Sequence, residues 1–138
     1  MKTFQGILFS ILVICGPAAG QIPDSVKFKS LLPYYFHLEY LKQDPALLID
    51  VREFFEYRGS RLRDAVNIPS SGNLEFSVDT IEKECALFLY CTTDFRSIRV
   101  ARYFYDKGFR KLYSLEGGIV AWRKEGMPVE KKRVKRRK

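Results

Sequence analysis

Residues 90–97 read Tyr-Cys-Thr-Thr-Asp-Phe-Arg-Ser, and they hold most of the chemistry this chain can do. Cys91 follows Ala86 to Tyr90, an apolar run that fits a buried strand. A helical stretch, Phe95 to Lys107, begins a few residues later. Between the two, the backbone of Thr92, Thr93, Asp94 and Phe95 can curl so that several N–H groups point inward. Orphan amides at a helix start, with the helix dipole behind them, form an anion site. A sulfur at the centre of such a site is favoured as thiolate. Arg96 adds a permanent positive charge and a two-pronged donor, and Ser97 stands where a helix cap is expected. The chemistry implied is nucleophilic: a thiolate attacks, and the same donors hold any anionic sulfur attached to it. The plainer alternative is a buried thiol that merely closes a strand. Cys85 is the internal control: it starts the same strand without a basic loop after it, and it reads as structural. Six residues of extended chain separate the two thiols by roughly 20 Å, beyond disulfide reach.

The elements that must position this loop follow from patterning. Ala46 to Asp50 is a short apolar run suited to a buried parallel strand. Arg52 to Tyr57 reads as a short helix ended by Gly59, Ala65 to Ile68 as a strand stopped by Pro69, and Glu75 to Lys83 as a helix. Ile98, Ala101, Phe104 and Tyr105 share a helical face, and Gly108 stops that helix. Lys111 to Leu115 is a strand, and Gly117-Gly118 turns into a last helix through Trp122 to Lys124. Residues 21–45 are expected to be a helical segment leading into the domain, divided at Pro33, with His37 a packed or surface residue. Alternating strands and helices predict an α/β fold, a parallel sheet covered on both faces. Ligands of such sheets bind beyond the carboxyl ends of the strands, where Asp50, Cys91 and Glu116 fall.

The stretches LLIDVREFFEY (47–57), AVNIP (65–69), LFLYCTTDFRS (87–97) and KGFRKLYSLEGGIVAWRKEGMPV (107–129) resemble a single-domain rhodanese spanning 46–129. The resemblance implies a five-stranded parallel sheet with helices on both faces. It also implies a sulfurtransferase in which Cys91 takes sulfane sulfur from a donor such as thiosulfate and passes it, as a persulfide, to a thiophilic acceptor. By that resemblance Thr92, Thr93, Asp94, Phe95, Arg96 and Ser97 form the substrate loop, and Asp50 and Arg52 brace it. Arg61 falls at the rim, where many members have His, and Glu116, Gly117 and Gly118 close the motif structurally. No cofactor and no metal are expected. The partners implied are a small sulfur donor and a thiol or cyanide-like acceptor.

Two departures from the family pattern bear on the donor. Thr92 stands where many members have a basic residue, and Asp94 where they have glycine. A carboxylate about 5 Å from an anionic donor opposes it by roughly 3 kcal/mol at an effective dielectric of 20, before screening. Phe95 adds an apolar lip that suits a protein or organic persulfide donor. A phosphatase or arsenate reductase of the related cysteine-loop type would space its arginine one residue further, so the Cys91-x4-Arg96 cradle suits sulfur better. The main alternative function is a non-catalytic rhodanese-like module that binds a partner or senses redox state.

Composition narrows the rest. The 138 residues are one domain's worth of chain, and 46% apolar content excludes a disordered polymer. A single histidine excludes sites needing two imidazoles, and three cysteines without a C-x-x-C pair exclude a zinc ribbon or dithiol motif. Residues 1–20, with Lys2, an apolar run from Gly6 to Cys15, Pro17 and then Ala-Ala-Gly, predict a secretory signal peptide cut after Gly20, hence a periplasmic or secreted protein. The alternatives are an uncleaved core segment and lipid attachment through Cys15, which bulky Ile14 disfavours. The formal charge of +8 is uneven: residues 130–138, EKKRVKRRK, carry a net +6. That segment is expected to be a solvated, disordered tail with weak attraction to anionic membrane surfaces. Without a basic stripe interleaved with aromatics, nucleic-acid binding is not expected.

Overall fold

In a computed structural model, which describes residues 20–131, the run Ala86–Tyr90 is buried at every position and forms the middle of a five-stranded sheet. In chain order the elements are α1 (Asp24–Lys27), β1 (Lys29–Leu31), α2 (Pro33–Lys42), β2 (Ala46–Asp50), α3 (Phe54–Gly59), β3 (Ser60–Arg61) and β4 (Val66–Asn67). They continue with α4 (Leu74–Thr80), β5 (Ala86–Tyr90), α5 (Phe95–Asp106), β6 (Leu112–Leu115), α6 (Gly118–Lys124) and β7 (Glu130–Lys131). The strand order is β1-β6-β5-β2-β4 with every pairing parallel, so the expected parallel α/β sheet is the fold. Residues 1–19 and 132–138, and with them most of the expected signal peptide, Cys15 and most of the basic tail, lie outside the described residues.

The two-residue period of a strand sorts its side chains between two cores. Leu87 and Leu89 of β5 join Ile49 of β2 with Val78 of α4 and Val100, Ala101 and Phe104 of α5. Ala86, Phe88 and Tyr90 face the other way, with Leu48, Phe36 of α2, and Ile119 and Trp122 of α6. Phe88 is stacked on Tyr113 at 4.3 Å and meets Phe36 edge-on at 5.3 Å. Cys91 continues the parity of Leu87 and Leu89, so its side chain falls on the α5 side.

Two expectations are corrected. The segment 21–45 is not helical throughout: Lys29–Leu31 extends the sheet as an edge strand, in register with Tyr113–Leu115. Three residues with only Leu31 half-buried give no periodic signal, and the ladder comes from a partner more than eighty residues away. Pro33 does divide the segment, but as the first residue of α2, where its missing N–H is harmless. Glu130 and Lys131, expected within a disordered tail, are instead part of the fold. Glu130–Lys131 pair antiparallel with Ser60–Arg61, and the Glu130 carboxylate lies 3.4 Å from Arg61 and 3.8 Å from Arg63.

Candidate functional site

The β2 and β5 strands end in step, with Asp50 opposite Tyr90 and the Val51 amide donating to the Tyr90 carbonyl. This register sets the Asp50-Val-Arg52 end beside the start of the cysteine loop. Asp50 and Arg52 are both buried, and Arg52 Nη2 donates to Asp50 Oδ2 at 2.6 Å. The same guanidinium donates to the Ser60 carbonyl at 2.6 Å and lies 5.7 Å from the Tyr90 ring. The Asn67 amide ties both carbonyls, of Asp50 and of Arg52. Tyr90 Oη accepts the Leu62 amide, and burial beside Asp50 pushes its phenol up, so it stays protonated. Asp50 and Arg52 therefore brace Ser60 and surround Tyr90, and they reach the cysteine loop only through that tyrosine, not by direct bonds to it.

Cys91 is 1% exposed. Its Sγ lies 3.8 Å from Ser97 Oγ, which donates to the Asp94 carbonyl at 2.9 Å and pairs with Ser114 Oγ at 3.0 Å. Ser97 is thus not the helix cap. Asp94 holds that position without a side-chain capping bond, and Ser97 sits one turn in, as the hydroxyl nearest the sulfur. Cys85 is half-buried, and burial pushes its thiol up.

The loop's peptide groups have a definite orientation, and α6 imposes it. The Ile119 amide donates to the Cys91 carbonyl at 2.9 Å, and the Val120 amide to the Thr92 carbonyl at 3.1 Å. Gly118, at φ +59°, lies against the carbonyls of Cys91, Thr92 and Thr93; a Cβ there would fall far inside contact with all three. In a planar trans peptide the N–H of the next residue points opposite to the carbonyl. With these three carbonyls turned to α6, the amides of Thr92, Thr93 and Asp94 face the other way, into the loop. Among the described residues, none accepts from these amides. The Gly117-Gly118 pair is what lets one helix start pin this loop.

Arg96 is not a free guanidinium. Nη1 donates to Glu56 Oε2 at 2.7 Å, and Nη2 to Glu56 Oε1 at 2.9 Å and to Thr92 Oγ1 at 2.8 Å. Thr92 Oγ1 in turn donates to Glu56 Oε1 at 2.9 Å. Glu56 also closes a capping box at the start of α3, accepting the Glu53 amide. Arg96 above all, then Thr92, holds the Glu56 carboxyl down at about 2. The sequence marked Glu56 only as part of a motif. Glu53-x-x-Glu56 is a capping-box spacing, but nothing local announces a partner forty residues on. The structure brings Thr92, Arg96 and Ser97 together around Cys91, leaves Thr93 and Phe95 exposed, and half-buries Asp94. Arg61 is not part of this cluster: it faces Glu130 and lies 4.9 Å from the Tyr57 ring.

Comparison with known proteins agrees with this fold. The family model for the rhodanese-like domain matches residues 36–125. A tRNA uridine(34) hydroxylase of Hamiltonella defensa is 31% identical over 100 residues, 66% of this chain and 28% of that protein. The chain therefore spans less than a third of such curated relatives. Among solved structures, a rhodanese-like domain from Anabaena has a TM-score of 0.65 at 21% identity, covering 74% of this chain and 78% of that one. A thiosulfate sulfurtransferase from Pseudomonas aeruginosa has a TM-score of 0.65 at 18% identity, covering 80% of this chain and 22% of that one. At these identities the structural likeness speaks for the fold.

Proposed function

This chain belongs to the rhodanese-like family, and from that premise we propose that it is a sulfurtransferase working through a persulfide on Cys91. The observation that carries the reading is the turning of the Cys91, Thr92 and Thr93 carbonyls onto α6, which leaves the following amides to face the loop. In the proposed first step the Cys91 thiolate attacks the outer sulfur of a donor such as thiosulfate. A new sulfur–sulfur bond forms, the donor's sulfur–sulfur bond breaks, and its electron pair leaves with sulfite. The terminal persulfide sulfur, now anionic, is held by the loop amides. A thiophilic acceptor such as cyanide then takes that sulfur and regenerates the thiolate. Ser97 Oγ can turn its proton from the Asp94 carbonyl to the sulfur, and so offers a further donor.

A second reading is favoured by two observations: Cys91 is almost fully buried, and the Arg96 charge is already matched by Glu56. In that reading the chain is a non-catalytic rhodanese-like module. Incubation with thiosulfate or another sulfane donor separates the two. Gain of one sulfur atom on Cys91 by mass spectrometry, with cyanide-dependent thiocyanate release abolished in Cys91→Ser, supports the enzyme. A protein that no donor modifies is the binding module. Export, with cleavage after Gly20 or lipid attachment at Cys15, and contact of the basic tail with anionic lipid are further proposals that rest on the sequence alone.

A further inference from the structure

We propose that Glu56 sets which sulfur donor this site accepts: by holding the Arg96 guanidinium with its own carboxylate, it disfavours the thiosulfate dianion and favours monoanionic organic persulfides and thiosulfonates. The inference rests on the sulfurtransferase reading and sharpens it to a donor class.

The Glu56 carboxylate is fixed from two directions. Its own helix supplies the Glu53 amide, and the cysteine loop supplies two Arg96 nitrogens and the Thr92 hydroxyl. Both oxygens are occupied, so the group has no reason to swing away when a donor arrives. The guanidinium that would otherwise attract a dianion is thereby matched before any donor binds. Arg52, within electrostatic reach of Glu56, is neutralised by buried Asp50. Glu53 adds a further negative charge near Arg96, and Asp94 stands within the loop itself. Around the Glu56–Arg96 pair, two guanidinium groups thus stand with four carboxylates, so neither guanidinium offers an unmatched charge to a dianion.

Thiosulfate brings two negative charges to that thiolate; a thiosulfonate offers the same outer sulfur with one. In either case the thiolate takes the outer sulfur, and the electron pair of the broken bond leaves, on sulfite or on sulfinate. The balance of atoms and electrons is the same, so the difference between the donors reads the field. Removing the Glu56 charge while keeping an oxygen for Arg96, as Glu56→Gln does, should unmask the guanidinium for the more charged donor.

The test is steady-state sulfur transfer to cyanide by the full chain with thiosulfate and with methanethiosulfonate. The wild-type protein should favour methanethiosulfonate in kcat/KM. Glu56→Gln should raise the thiosulfate-to-thiosulfonate ratio about fivefold or more at low salt, chiefly through KM, and the gain should shrink as salt screens the site. Glu75→Gln, which alters a surface carboxylate paired with Lys107 on the far end of α5, should leave the ratio unchanged. An unchanged ratio in a Glu56→Gln protein that still loads Cys91 overturns the inference. A second measurement needs no variant: in the wild type, thiosulfate kcat/KM should rise with ionic strength more steeply than thiosulfonate kcat/KM, and equal or reversed slopes overturn it as well. Absence of sulfur on Cys91 with both donors removes the sulfurtransferase reading itself, a different and recognisable failure.

Discussion

At the scale of single residues, the Glu56–Arg96 pair ties α3 to the cysteine loop, and its ionisation makes that tie depend on pH. The Glu56 carboxyl falls from 4.5 to about 2 in the fold, so the native protein binds its proton less tightly than the unfolded chain does. Its stabilisation is therefore fully present above about pH 4.5 and is lost as pH falls toward 2. A shift of this size corresponds to roughly 3 kcal/mol, of which partial exposure leaves about 2. Glu56→Gln is expected to lower urea-derived stability by about 1–2 kcal/mol at pH 7, with the gap closing near pH 2. A gap that persists unchanged into acid would assign the loss to packing rather than charge. Asp94 poses a separate question. Its φ of −142° lies outside the left-handed region that favours glycine, so the difference that bears on an anionic donor is charge. Asp94→Gly and Asp94→Asn should therefore raise thiosulfate turnover alike; a gain confined to glycine would point to backbone freedom instead. Cys91, Arg96 and Ser97 were legible in sequence because seven consecutive residues carry them. Glu56 was not, because its meaning depends on a side chain that only the fold brings near.

Among the elements, α6 has the clearest influence on the site although it contributes no reacting group. Its first amides and the bare Cα of Gly118 fix the direction of three loop carbonyls. Gly118→Ala would meet both a left-handed φ and a backbone collision, so the loop or the helix start must move. The expected cost is about 3 kcal/mol or more, with sulfur loading of Cys91 lost even where the protein still folds. Urea titration beside mass spectrometry checks both parts; loading at the wild-type rate would mean the carbonyl orientation does not matter. The β2 end offers a matching case. Asp50→Asn leaves Arg52, 4% exposed, without its charge partner and should cost about 3–5 kcal/mol, measurable in the same titration. Element reading from sequence succeeded where the pattern was internal. β5 was expected at Ala86–Tyr90 and is found there, and α5 differs from expectation by one residue at its end. It failed at β1 and β7, whose extended form comes from partners on distant strands rather than from their own residues.

For the whole molecule, the alternation of strands and helices implied a parallel sheet, but the order β1-β6-β5-β2-β4 is a property of the folded chain that no local pattern contains. Charge at this scale is easier to read. Six of the bases in the chain lie in residues 132–138, and removing them takes the formal net charge from +8 to +2. The Glu130–Lys131 pairing on Ser60–Arg61 immediately precedes them in sequence. Attraction to an anionic surface and integrity of the fold should therefore separate in a deletion series. Loss of 132–138 is expected to weaken binding to phosphatidylserine-containing vesicles by at least about tenfold at low salt, since each base near such a surface contributes about 1 kcal/mol. Thermal stability and Cys91 loading should stay as they were. A deletion that also takes Glu130 and Lys131 removes the β3–β7 ladder and the Glu130 contacts to Arg61 and Arg63, and stability should then fall. Vesicle binding that survives the shorter deletion would move the anionic contact onto the folded body, where charges of both signs nearly cancel and a different surface would have to supply it.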